Sequence, residues 1–387
     1  MLSFATTWWQ AIGNSIFLIL GLFISLSIGR FVKISILSSI ILYIWHTIIS
    51  IYYYYSSLEN PADSVDYYIK SLNYSGGFAF GTKGIFYLTS FFSETLDMSY
   101  GGVFLVFNIF GSVGLLAMAG ALVEIVPERQ LLFKRLAIAV LFLPGVSFWS
   151  SAIGKDSLAF MAAGLAVWAS LQLNRRYPAM LIALCIFLLI RPHIGGIASI
   201  ALALATIFTL RSGLVAKAAL LAVAMPAAAA GIWFGLDYAG ISDPAGMSDI
   251  TDYMEDRQGY NMGGGSSIDI VSMSWPMRLF SYLFRPLPLE SPGLLGLVVG
   301  LENMALLAIF IFFSLKVLRE KSWLPLFPRA FMLLFAIGTL IILANTTANL
   351  GIAIRQKWMF VPMLICVAFS YARTRSPASR SDELAYA

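Results

Sequence analysis

The chain has 387 residues, of which 59% are hydrophobic and 12% charged, with a net charge of +5. A soluble domain carries about 25% charged residues, so this composition and a mean hydropathy of +0.82 exclude a water-soluble globular fold. Two cysteines, Cys185 and Cys366, both lie inside apolar runs and exclude a disulfide framework.

The opening MLSFATTWWQ has no basic stretch before its apolar run and no small-residue cleavage site after it, so no cleavable signal peptide is expected. A crossing needs about 20 apolar helical residues, which gives about 11 candidate spans. They fall near 11–29, 34–54, 100–124, 136–150, 157–173, 178–190, 194–210, 218–236, 293–316, 330–348 and 358–372. The expected fold is an all-α, polytopic transmembrane bundle forming a single domain over 1–387, with interfacial helices on the extracytoplasmic side. The span at 178–190 is short for a crossing.

With the N-terminus outside, 16 of the 25 basic residues fall in inner loops, and 14 of the 20 carboxylates fall outside. Only the basic count sets orientation. It implies a multi-pass protein of the cytoplasmic (inner) membrane, N-terminus outside and C-terminus cytoplasmic. Two outer segments are long, 55–99 and 237–292, and the tail 373–387 is polar and inner. The stretch GIFYLTSFFSETL in the first is too short to cross and reads as an interfacial or re-entrant helix. Gly263 to Ser267 in the second reads as a flexible linker, which lets residues 237–270 close as a lid over a substrate.

In the first outer loop Asn60 suits a helix N-cap, Pro61 the first helical position and Asp63 the third. Asp63, Asp66, Tyr67 and Lys70 then share a face. Asp63 reads as a capping carboxylate. Asp66 is either an i,i+4 partner of Lys70 or, being free of capping, a general base at the membrane surface. Further on, Lys155, Arg191, Arg278, Arg285, Arg355 and Lys357 all sit at outer membrane edges, against the orientation rule. Each has a bland reading as a snorkelling side chain and a sharper one as a contact to phosphate. Asp156 reads as a helix cap beside Lys155, and His193 as an interfacial residue or an auxiliary catalyst. Within the spans, His46 and Glu302 are ionisable, and Glu302 suits a proton path or a partner on a neighbouring helix. Asp249, Asp252, Glu255 and Asp256 lack the pattern of a calcium loop. No metal site or cofactor is therefore expected, and the absence of strand–helix alternation speaks against nucleic acid as a partner.

Five stretches together give the chain a likeness: PADSVDYY in the first outer loop, GIFYLTSFFSETL after it, LPGVSFWSSAIGKDS, LLIRPH, and NLGIAIRQKW before the last span. The chain resembles integral-membrane glycosyltransferases of the GT-C superfamily and polysaccharide-polymerase-like membrane proteins. The resemblance implies a donor glycan linked to a polyprenyl phosphate or pyrophosphate, with an acidic residue of the first outer loop activating the acceptor. Asp66 or Asp63 matches that residue. The chain departs from the superfamily in lacking a D-x-D motif, and its acidic loop follows the second span. The expected function is glycosyl transfer in cell-surface polysaccharide synthesis. The alternatives are a repeat-unit polymerase of O-antigen or exopolysaccharide and, in another class, a flippase or transporter of lipid-linked glycan.

Overall fold

A backbone that crosses lipid must satisfy its own polar groups, and long apolar runs do so as helices. The computed structural model describes residues 2–60, 62–126, 130–209, 266–270 and 272–372, with scattered positions from 215 to 233. All its regular structure is helical, apart from one antiparallel bridge between Ser267 and Asn349. Helices α1 (Trp8–Phe31) and α2 (Ile36–Glu59) form a hairpin, opened by the side chains of Thr7 and Ser35, which accept from the amides of Gln10 and Ser38. The short helices α3 (Asp63–Ser71) and α4 (Thr82–Ser90) follow, and α4 runs into a π turn over Phe91–Thr95.

Helix α5 (Tyr100–Ile125) is the centre of the bundle, with 94% of its apolar window buried. It packs on α1, α2 and α8 (Lys155–Leu171). The α5–α8 crossing is close because both helices place glycine there. A Cβ on Gly164 would stand 2.2 Å from the Gly114 carbonyl oxygen, and one on Gly114 would stand 2.7 Å from that of Phe160. Small residues that let backbones touch are the usual device for helix association in lipid. Helices α9 (Leu173–Ile190) and α10 (Pro192–Thr209) form the next hairpin. After them come α11 (Trp275–Phe284), α12 (Gly293–Val317), α13 (Leu326–Thr346), α14 (Leu350–Gln356) and, past a 3-10 turn at Lys357–Met359, α15 (Val361–Phe369).

Among the described residues eight helices are long and apolar enough to cross a membrane, or nine if α14 and α15, bent by 56°, count as one broken span. Several expected elements change. The run at 136–150 divides into α6 (Leu131–Leu141) and α7 (Pro144–Ser150), because Pro144 cannot continue a helix but can begin one. The short span at 178–190 is longer than expected, since α9 starts at Leu173 and absorbs Pro178 behind a break at Arg176. The expected span at 157–173 is α8, with 17 residues. Asn60 does not cap α3: it ends α2, its side chain donates to the Ser56 carbonyl at 3.1 Å, and the residue before α3 is Ala62. Gly263 to Gly265 of the expected linker and the acidic group Asp249 to Asp256 lie outside the described residues, as do about half of 218–236 and the tail 373–387, whereas Ser266 and Ser267 are held beside Asn349 and Leu350.

Candidate functional site

Arg355, near the end of α14, makes the longest-range ion pair among the described residues. Its Nη1 lies 2.5 Å from Oδ2 of Asp63, the first residue of α3, across 292 residues of sequence. Its Nε lies 3.3 Å from Oδ2 of Asp156. The other oxygen of Asp156 holds Arg191 Nη2 at 2.5 Å. The result is a chain of alternating charge, Asp63–Arg355–Asp156–Arg191, gathered from α3, α14, α8 and the α9–α10 turn. Two positive and two negative groups leave it neutral overall, which is what makes charge tolerable in a partly buried place.

Each member has a local reason for its position. Asp156 is the second residue of α8, where a carboxylate favours the positive end of the helix dipole. Arg191 closes α9 and begins α10: its amide donates to the Phe187 carbonyl at 2.8 Å, and its own carbonyl accepts from Ile194 and Gly195. Helix α14 is capped by the Asn349 side chain, and the 266–268 segment is pinned beside it by Leu350 donating to Ser266 and Ile268 donating to Ala348. Gly154 comes before α8 with φ +150°, a conformation open mainly to glycine, and a Cβ there would meet the Tyr67 ring at 3.1 Å.

Aromatic groups wall this chain. Tyr53 stacks on Phe148 at 4.1 Å and lies within electrostatic reach of Arg355, Asp156 and Asp63. Tyr67 packs against Phe86 at 5.6 Å, and Tyr282 packs against Phe360 at 6.2 Å. Burial pushes the Tyr67 phenol above its ordinary range, Asp156 and Asp63 add to this, and Arg191 and Arg355 oppose it. Burial raises Tyr282 in the same way, with Arg191 opposing and Asp156 adding. Both phenols are neutral donors at physiological pH.

The chain of charges is not saturated. Arg191 is 8% exposed, and its Nε is buried without a hydrogen-bond acceptor. Arg355 Nε also lacks one, because its close approach to Asp156 is not aligned for a hydrogen bond. Guanidinium donors out of water and without acceptors, on two side chains that share the Asp156 carboxylate, can take the oxygens of an anion. At the other limit of the chain, Asp63 is paired yet 59% exposed, so a second partner can reach its carboxylate.

The remaining expected residues fall elsewhere. Asp66 pairs with Lys70 at 2.8 Å on the exposed side of α3 and has no link to the charged chain. Arg278 donates to Asn345 Oδ1 at 3.0 Å and to the Met273 carbonyl, and Arg285 is held on both oxygens of Glu290 at 3.0 and 3.1 Å. Arg278 and Arg285 therefore turn to different neighbours. Lys155 opens α8 beside Asp156, and His193 is the second residue of α10; both are partly buried. Lys357 and Glu302 belong to a deeper group. The Lys357 ammonium donates to Asn303 Oδ1 and, at 3.4 Å, to the Leu283 carbonyl. Glu302 Oε1 accepts from the Gly145 amide at 2.7 Å. His46 is a satisfied core residue, between Asn108 Oδ1 at 2.5 Å and Ser150 Oγ at 2.9 Å. No group of side chains suited to a metal occurs among the described residues.

Sequence reasoning missed Tyr53, Tyr67 as a wall residue, Tyr282, Gly145 and Asn303. Gly154 could have been found, since a glycine directly before Lys-Asp-Ser at a helix start suits a positive φ. The chain matches no family model, no curated protein and no solved structure.

Proposed function

We propose that the chain transfers a sugar from a polyprenyl-phosphate- or pyrophosphate-linked donor at the extracytoplasmic face of the cytoplasmic membrane, in the synthesis of a cell-surface polysaccharide. The observation that carries this reading is the Asp63–Arg355–Asp156–Arg191 chain, with two guanidinium Nε groups that lack hydrogen-bond acceptors and one accessible carboxylate. Asp63 takes the proton of an acceptor hydroxyl, and the freed oxygen attacks the anomeric carbon of the donor. The bond from that carbon to the lipid phosphate breaks, and the phosphate leaves with the electron pair. Arg355 and Arg191 offset the charge that collects on it, a preorganised arrangement that favours the transition state. Asp63 replaces Asp66 as the preferred base because, of the two, it alone joins the charged chain through Arg355. In this reading the chain makes eleven crossings, α3 and α4 lie at the outer membrane surface, and the split of basic residues sets the orientation. Lys155 and His193 stand at the rim, and Arg278 and Arg285 anchor α11 among lipid headgroups.

The buried Lys357 and Glu302 favour a second reading, a transporter of the same lipid-linked glycan. Deletion of the gene separates the two. Loss of the surface polysaccharide with its lipid-linked precursor accumulating on the outer leaflet is expected of a transferase or polymerase. Accumulation on the inner leaflet would favour the transporter, and an unchanged polysaccharide profile would overturn both.

A further inference from the structure

The group below the charged chain joins elements that sequence keeps apart. Glu302 and Asn303 are neighbours on α12, 7% and 0% exposed. Glu302 reaches the start of α7 through the Gly145 amide, and a Cβ on Gly145 would stand 2.2 Å from Glu302 Oε2. Asn303 holds the Lys357 ammonium on its oxygen, and its amide donates to the Pro286 carbonyl at 2.9 Å. Each contact answers a local need. The break before Pro144 frees the Gly145 amide from the helical ladder, and in lipid a freed amide must find an acceptor. Lys357 is 2% exposed, and a buried ammonium needs a countercharge as well as a hydrogen bond. Asn303 supplies only the hydrogen bond. Glu302 is the adjacent carboxylate on α12, one residue before the Asn303 that holds Lys357.

Both supports lead directly to the charged chain. Lys357 lies two residues beyond Arg355, and α7 ends at Ser150, shortly before Gly154 and Asp156. The geometry assigns Glu302 a positioning role: from within α12 it fixes Lys357 and the start of α7, and through them the placement of Arg355 opposite Asp156. The inference rests on the proposed function only in saying what that placement serves.

Glu302→Gln keeps the size and a carbonyl acceptor for Gly145 but leaves Lys357 without its countercharge. In purified full-length protein in nanodiscs, amide hydrogen exchange over residues 355–360 is expected to rise at least about tenfold, with α5 unchanged. The uncharged pair Glu302→Gln with Lys357→Met should return exchange to within about threefold of wild type, because no buried charge then stands alone. Binding of decaprenyl phosphate in the same nanodiscs should weaken at least about tenfold in the single variant and recover in the double. Wild-type exchange in Glu302→Gln overturns the role. So do equal loosening in single and double variants, and loosened exchange with unchanged binding. If wild-type protein fails to bind decaprenyl phosphate, the functional reading falls, and the exchange results alone still decide for or against Glu302.

Discussion

Helices α8 and α9 carry a charged network at each end, and the two are built differently. At one end Arg176 donates to Glu124 at 2.9 Å and to the Trp168 carbonyl at 2.8 Å, and its guanidinium lies 4.0 Å from the Trp168 ring centre. Gln172 takes the other oxygen of Glu124 at 2.7 Å. That network is closed: carboxylate oxygens and arginine donors have been matched within three adjoining helices. At the other end Arg191 and Arg355 keep Nε donors without acceptors, and Asp63 stays accessible. A closed network fastens helices. An open one holds the same charges in place while leaving capacity for something that arrives later.

The largest expected effect breaks the comparison at its open end. On the proposed function, Asp63→Asn should lower glycosyl transfer by about 10²–10⁴-fold, the usual cost of removing a positioned base. Asp66→Asn, whose Lys70 pair is more than half exposed, should stay within about twofold. Transfer from a decaprenyl-linked donor by purified protein measures both, and equal losses would remove the distinction between the two carboxylates. Next, Asp156→Asn leaves two buried guanidinium groups sharing no anion, and should lower stability by about 3 kcal/mol. Thermal unfolding in detergent reads this, and an unchanged midpoint would mean that solvent already screens the pair. A smaller effect follows from Gly154→Ala, which places a Cβ at φ +150° against Tyr67. It should cost about 1–3 kcal/mol and weaken transfer, because Asp156 moves with the turn. The smallest belongs to the closed end. Arg176→Lys keeps the charge and loses the fork and the ring contact, so a destabilisation of about 1 kcal/mol with full activity is expected. Reduced turnover there would show that the two networks are coupled after all.

The helices were legible because lipid leaves a chain little choice, and long apolar runs announce it. Their breaks were less so. Pro144 lies inside a run that reads as continuous, and only the Glu302 contact explains how the break is tolerated. Arg191 and Arg355 were visible as cations at odds with the orientation rule, and Asp63 and Asp156 as carboxylates at helix starts. Their pairing was not, because sequence reasoning judges a side chain by its near neighbours. It assigned Asp63 to capping, whereas α3 begins at Asp63 and Arg355 takes its carboxylate. It offered Asp66 either a pair with Lys70 or the role of a base, and Lys70, one turn away, takes it. Tyr53 and Tyr282 lie in aromatic-rich stretches where nothing local sets one ring apart from the next.

The 292 residues between Asp63 and Arg355 also set a timetable. At the pace of synthesis, about 5–20 residues per second, Asp63 emerges roughly 15–60 s before its partner. Over that interval α1, α2, α5 and α8 can insert and pack, Arg191 can reach Asp156, and the half-made chain holds one carboxylate too many. The last helices to arrive bring both Arg355 and Lys357. The protein therefore acquires most of its bundle early and completes its charged chain late, and a nascent chain stalled before α14 would hold Asp63 without Arg355.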